Sequence, residues 1–281
     1  MTVKYLVMKK PMRYWVPGYD FSAEIIRVYG NVLRNGDFLI ISEKALAIAL
    51  GYIYDESIIE ESRITSLATR VVRELWSIIG TRCKLGEKTI TMLRSIPLEL
   101  LARHKQLSLS IGGLKHFLKP VSEAGIDTSN LPYSYVSLPL QMAEEIADQI
   151  RNEISSKLGK DVSVLIQDTD KTFLLDKLSL GLATRPSKVR GIIDLGVISY
   201  ILGMCTHLFR AYPTPVAFSG PQISLRLLLN IARAAESSRG WGAGRNVVEM
   251  ARRFNSGFED VTWRMLMREN HFPAVIVRLR E

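Results

Sequence analysis

Two short acidic turns carry the side chains best suited to chemistry in this sequence. The first is Ala124-Gly125-Ile126-Asp127-Thr128-Ser129-Asn130, followed by Leu131-Pro132; the second is Ile166-Gln167-Asp168-Thr169-Asp170. Carboxylate and hydroxyl oxygens suit a hard cation such as Mg²⁺, which takes a few protein oxygens and keeps its other positions for water and phosphate. Such an ion neutralises nucleotide phosphates and stabilises charge in phosphoryl transfer. The second turn follows an apolar run, Val162, Val164, Leu165 and Ile166, that reads as a buried strand ending at Asp168-Thr169-Asp170. Ligand groups in α/β proteins gather at such carboxyl ends. The expectation is that Asp127 and Asp168 fold toward one point and hold one cation, with Thr169 as a supporting oxygen. The same residues have local uses. Asp127 and Asn130 suit an Asx turn, and Asp168, Thr169 and Asp170 suit the cap of a following element. Spacing alone leaves both readings open.

Other candidates are fewer. Lys44 follows the apolar run Phe38–Ile41 and is placed to put a cation near a transferred phosphate, or simply to be solvated. His104, His116, His207 and His271 are scattered with no Ser, Cys or Asp partner in a triad pattern, which predicts surface or packing roles. Cys83 and Cys205 sit in apolar, helical-looking settings and read as reduced core residues, with no Cys/His spacing of a zinc site.

The elements that must position these groups alternate between helical and strand periods. Ser22–Leu33 reads as a helix capped by Ser22, with Ile25, Ile26, Tyr29, Val32 and Leu33 on one face. Asn35-Gly36-Asp37 stops it, and Phe38–Ile41 reads as a buried strand. Arg63–Ile79 has the clearest helical period, with Ile64, Leu67, Ala68, Val71, Val72, Leu75, Trp76 and Ile79 as its expected core face. Gly80–Gly113 is mixed, with a turn at Gly112-Gly113. Leu140–Leu158 reads as a helix stopped by Gly159. Lys188–Phe209 and Ser224–Ala235 look helical, Arg239–Arg245 is a loop with no preceding strand, and a short helix around Glu259–Met267 leads to a strand at Ala274–Val277. The pattern predicts an α/β class.

The bulk numbers set limits. The chain has 281 residues and a formal net charge of +9. A basic balance attracts anions such as nucleotides and phosphorylated cofactors. No Lys/Arg run with interleaved aromatics marks a nucleic-acid footprint. The most apolar stretch, Gly191–Cys205, is interrupted by Asp194 and too short for a bilayer, and no signal-type start is present. A cytoplasmic protein that binds no membrane is expected.

Taken together, Gly125-Ile-Asp-Thr-Ser-Asn130, Leu138-Pro139, the helix after it, and Val164-Leu-Ile-Gln-Asp-Thr169 resemble the coenzyme F420-0:L-glutamate ligase family in order and separation. Weaker similarity lies in Pro17–Asp20, Gly36–Ser42 and Phe258–Trp263, with an apparent insertion between about Gly80 and Lys119. The resemblance implies a two-lobed α/β (α+β) subunit in an intertwined homodimer. It treats 1–281 as one domain, with sub-lobes of roughly 1–95 with 205–281 and 96–204. It also implies a GTP- or ATP-dependent ligase that joins L-glutamate to an anionic coenzyme precursor with Mg²⁺ or Mn²⁺. Asp127 and Asp168 would be catalytic metal ligands with Thr169. Ser42, Lys44, Asn130 and Lys171 would meet the nucleotide from a loop after the strand and from the two turns. The sequence departs from the family where Ala47–Gly51 replaces Ser-Lys-Ala-Glu-Gly, putting Ile48 and Leu50 in place of a lysine and a glutamate. Asp170-Lys171-Thr172 stands where the family has Gly-Arg and a further arginine, Glu123 replaces an asparagine, and Tyr19 replaces an acid. These changes keep open a second reading, a paralogue that binds nucleotide without ligating.

Overall fold

A computed structural model describes residues 4–80, 85, 87–120, 123–206 and 208–280. Its strands are β1 (Lys4–Lys9), β2 (Phe38–Ser42), β3 (Ile53–Asp55), β4 (Tyr135–Ser137), β5 (Ser163–Leu175), β6 (Leu180–Ala183), β7 (Ile192–Asp194), β8 (Arg210–Ser219) and β9 (Ala274–Arg280). A seven-stranded mixed sheet runs β1-β9-β2-β5-β6-β7, with β8 on the other side of β5, and β3 pairs β4 separately. The class is α/β.

The runs Phe38–Ile41 and Val164–Ile166 are continuously apolar because both sheet faces are covered. Leu39, Ile41, Val164 and Ile166 pack on one face against the helices Phe21–Tyr29, Glu43–Ala49 and Ala143–Leu158. Phe38, Ile40 and Leu165 point the other way, onto the helix Leu225–Arg239. The alternation is the two-residue period of a strand, so one run feeds two cores.

Several expectations are met closely. The helix Arg63–Ile79 has the predicted bounds, and Ala143–Leu158 ends at Gly159, whose φ of 61° is the left-handed C-terminal turn that glycine adopts at no steric cost. Others need correction. The first helix is capped by Asp20, not Ser22; Asp20 Oδ1 accepts from Ala23 N at 2.9 Å, and the Ser22 hydroxyl instead donates to Glu153. The segment Lys188–Phe209 is not one helix. It contains β7 and the helix Val197–Cys205. The strand β8 carries Pro213 and Pro215, which argue against a strand by propensity. Both sit at register shifts in an antiparallel ladder to β5, where a missing N–H is tolerated. Cys205 is disulfide-bonded rather than reduced, and Cys83, the other cysteine, lies outside the described residues, as does His207.

The insertion forms a helical cluster. Val72 and Trp76 of Arg63–Ile79 pack with Ile90, Leu93, Leu101, Phe117 and Tyr200, and Trp76 Nε1 donates to the Leu118 carbonyl at 2.8 Å. Among the described residues no helix is long and apolar enough to cross a membrane.

Ile41 is fully buried at the end of the strand that delivers Ser42, Glu43 and Lys44. Ile41→Ala is expected to cost about 2–5 kcal/mol in denaturant unfolding, because the surrounding layers close only partly over the lost methyls.

Candidate functional site

The site forms where the sheet divides. β2 runs parallel to β5 as far as Ser42, opposite Gln167, and β6 takes up pairing on the same side of β5 only at Thr172. Between those points β5 has a vacated flank, from Asp168 to Asp170, and the Lys171 carbonyl already accepts from Thr184 N at 3.0 Å. On its other side β8 passes from Thr214 opposite Asp168 to Pro213 opposite Lys171, so two residues bulge. The sequence reading ended the strand at Asp168. The strand in fact continues to Leu175, and Asp168–Lys171 is a bulge within it rather than a cap. A bulge re-aims side chains without ending the strand, which a local apolar count does not detect.

The first acidic turn comes to this flank. Asp127 bridges Ser137, next to the short β3–β4 pair, and the chain around it turns through left-handed residues at Ala124, Gly125 and Asn130. Asp127, Thr128, Asp168, Thr169, Asp170 and Lys171 line one cavity of about 520 Å³. Glu56, Arg103, His104 and Glu123 form a second wall, Met92, Leu93, Ile96, Leu100 and Leu101 an apolar one, and Trp241, Arg245 and Glu249 a third. The two distant turns do converge.

They converge as ion pairs. Asp127 Oδ1 accepts from Ser129 N at 2.7 Å, an Asx turn, and its Oδ2 meets Lys44 Nζ at 2.6 Å. Lys44 Nζ also donates to Ser129 Oγ at 2.5 Å. Asp168 Oδ1 accepts from Thr169 N at 2.7 Å, and its Oδ2 meets Arg185 Nη1 at 2.6 Å. The Arg185 side chain is 1% exposed. Its Nη1 also pairs with Glu43 Oε2, and its Nη2 donates to Glu43 Oε1 at 2.7 Å. All four oxygens of Asp127 and Asp168 therefore have partners. Among the described residues no group of three or more His, Cys, Asp or Glu is placed to hold a metal ion. As folded, the donors do not fit a divalent ion, because Lys44 and Arg185 already supply the positive charge.

Burial raises the Glu43 carboxyl despite Arg185, whereas Asp168 is held low, because Arg185 and Lys44 outweigh its own burial. Arg185 would be discouraged from charge by burial, but Glu43 and Asp168 push its pKa up. Glycine 125 makes the packing possible. Its φ is +85°, and a Cβ there would stand 2.5 Å from Arg185 Cζ. Ser42–Lys44 is not a loop: the helix Glu43–Ala49 starts at once, and Glu43 is buried while Ser42 and Lys44 lie outside the cavity lining. Ile48, in place of a family lysine, is core, at 2% exposure. Asn130 is also outside the lining. Its Oδ1 accepts from Ala243 N at 2.7 Å, its Nδ2 donates to the Trp241 and Gly244 carbonyls, and Tyr14 donates to its carbonyl, so it pins the 241–244 loop.

The second wall corrects the reading of the histidines. His104 Nδ1 lies 2.7 Å from Glu56 Oε1 and its Nε2 3.3 Å from Glu123 Oε2. Lys105 Nζ, buried, is 2.5 Å from Glu123 Oε1. Burial alone would lower the His104 pKa, but the two glutamates outweigh it and push it up to about 10. Glu123 falls below the usual carboxylate range: burial would raise it, and Lys105 and His104 prevail. His116 is buried against Asp194, and His271 is stacked on Tyr14 at 4.7 Å, so these are packing residues. Arg185 and His104 carry no motif in the sequence. The left-handed Gly125 signals a close approach without naming its partner.

A family model described as F420-0:gamma-glutamyl ligase matches residues 11–184, which holds both acidic turns and all of β2, β5 and β6. The chain belongs to the F420-0:gamma-glutamyl ligase family. It is also 31% identical to an uncharacterised protein of the archaeon Methanocaldococcus jannaschii over 282 residues, 96% of this chain and 94% of that one. The matched family segment ends at Thr184, one residue before Arg185, so the arginine that holds Asp168 lies just beyond it.

Two outcomes follow from the paired groups. Arg185→Met leaves Glu43 and Asp168 buried without their cation and is expected to cost about 3–5 kcal/mol in denaturant unfolding at neutral pH. His104→Gln should matter most in acid. A raised histidine stabilises fully below its ordinary value of 6.5, and that gain is lost as pH rises toward about 10. The melting-temperature gap between wild type and His104→Gln should therefore be widest near pH 6 and narrow toward pH 10; a gap that widens with pH would contradict the assignment.

Proposed function

We propose that this cavity forms an amide, of the gamma-glutamyl type, between L-glutamate and an anionic F420-0-like acceptor at the expense of GTP or ATP, in a homodimeric protein. One observation carries the reading: the acidic turns at Asp127 and Asp168, distant in sequence, face one cavity within a chain of this ligase family. The nucleotide's γ-phosphoryl passes to the acceptor carboxylate, leaving a nucleoside diphosphate and an acyl phosphate. The glutamate amine then attacks the acyl carbon, phosphate departs, and the amine loses a proton. Lys171 and Arg245 supply cavity-facing cations for the phosphates, and Lys44 holds Asp127 in place. In this reading Ser42 and Asn130 are nucleotide neighbours through the segments they anchor. Mg²⁺ or Mn²⁺ belongs to the proposal as the counter-ion of the nucleotide, and Asp127, Asp168 and Thr169 are the cavity residues that would face it.

A specific observation favours a second reading, nucleotide binding without ligation: Asp127 and Asp168 are both neutralised by protein cations, and Ile48 is sealed in the core. The two separate in one assay. With GTP or ATP, Mg²⁺ or Mn²⁺, and F420-0, phosphate release should require L-glutamate, and Lys171→Ala should slow it by about a hundredfold. Tight nucleotide binding with no glutamate-dependent release from any acceptor selects the second reading and rejects the first.

A further inference from the structure

The helix Arg63–Ile79 turns Ile64, Leu67, Val71 and Leu75 outward, where the sequence reading assigned them to the core. Exposed aliphatic side chains recur on the surface, but exposed aromatic ones do not. Among the described residues, Trp241 is the only phenylalanine, tyrosine or tryptophan that is exposed, at 47%. Tryptophan has the most apolar area to hide, so a bare indole needs a reason. Its position supplies one. Trp241 lines the cavity of about 520 Å³ and also a neighbouring one of about 400 Å³, and Arg245 and Glu249 line both. The loop that carries the ring is held in place. Asn130 donates to the carbonyls of Trp241 and Gly244 and accepts from Ala243 N, and Ala243 itself is buried. Gly242 permits that approach, since a Cβ there would stand 2.5 Å from Asn130 Oδ1. A ring presented on a fixed backbone spares its ligand the cost of ordering a loop. Arg245 lies over the indole at 4.9 Å, and its own N–H donates to Glu249 Oε2 at 2.9 Å.

We propose that Trp241 and Arg245 form the seat of a planar heteroaromatic ring that carries a phosphate, with the ring stacked on the indole and the phosphate on the guanidinium. An indole stacks on any flat π-system of similar size, and a guanidinium meets phosphate oxygens with paired N–H donors. Arg245 covers part of the indole, yet the ring stays half-exposed, which leaves a surface for the ligand to cover. Glu249 offers its other carboxylate oxygen to an N–H at the ring's edge, and it opposes a second phosphate at that end. Arg253, which also lines the smaller cavity, is already paired with Glu269. A bare polyphosphate or an aliphatic anion would use the arginine alone and leave the indole without a partner. The inference rests on the preceding reading, in which a nucleotide and an F420-0-like acceptor enter this cavity. Both join a flat ring to a phosphate, so the chemistry is shared and binding measurements separate the two sources. The loop lies beyond residue 184, in a part of the chain that the family match does not reach.

Titration calorimetry on the full chain tests it with ATP, GTP, F420-0 and inorganic tripolyphosphate. Trp241→Ala should weaken the ligand whose ring sits there by about tenfold or more, and leave tripolyphosphate within about twofold of wild type. Trp241→Phe should keep most of the affinity, because a smaller ring still stacks. Arg245→Gln should weaken the same ligand by about tenfold and flatten its salt dependence. Trp15 and Trp76 are buried and Trp263 is half-buried, so that ligand should quench tryptophan emission in wild type and not in Trp241→Phe. The exposed position makes Trp241→Ala fold normally, which circular dichroism checks. Loss confined to ATP and GTP assigns the seat to the nucleotide base, and loss confined to F420-0 assigns it to the acceptor. Unchanged affinity for all three, or an equal loss for tripolyphosphate, would overturn the proposal, the second by showing that the indole only shapes the loop. If neither nucleotide nor F420-0 binds the wild type, the preceding reading fails and this inference with it. Ring-dependent binding without phosphate release rejects ligation and leaves the seat standing.

Discussion

The buried guanidinium of Arg185 is the contact on which the site depends. It is a full charge with a side chain 1% exposed, and it remains there because Glu43 and Asp168 close around it. Each partner comes from a different strand terminus or bulge: Glu43 from the first turn after β2, Asp168 from the bulge of β5, and Arg185 from just past β6. A buried charge is costly unless its partners are fixed in place, so this triad ties together the segments around the opening in the sheet. Gly125 joins the same arrangement, because only a residue without Cβ lets the Asp127 turn lie over the arginine.

From that anchor the rest of the cavity is positioned. The Asp127 turn, held by its own Asx bond and by Lys44, faces the Asp168 bulge. Asn130 extends the turn to the 241–244 loop, bringing Trp241 and Arg245 to the third wall, where Arg245 lies over the Trp241 ring at 4.9 Å. The helical insertion adds His104 opposite, against Glu123 just beyond it. The walls thus alternate carboxylates and cations beside an apolar side, a surface that can hold anions and exclude water from them.

The arrangement explains how a family member departs from its family's motif and keeps its scaffold. Ile48, where the resemblance places a lysine, is buried in the helix Glu43–Ala49. Lys171 keeps a cation beside the bulge, but an ammonium presents a point charge and not the planar fork of an arginine. The charge that a metal ion would bring is present in the protein as Lys44 and Arg185.

The sequence by itself determined the family, the α/β class, the buried runs that become β2 and the start of β5, and the turn at Asp127, because each is written in local periodicity or in a contiguous motif. It offered an Asx turn at Asp127 beside a metal-ligand reading, and the structure shows the turn, with Ser129 N donating to Asp127 Oδ1. Tertiary structure alone decided what those carboxylates face. Arg185, His104 and Glu43 act across spans of chain that no local pattern joins, and a bulge that keeps β5 running past Asp168 depends on its neighbour strands. The outward turn of Arg63–Ile79 was decided there too: the helical period fixes which residues share a face, whereas packing chooses which face meets the protein.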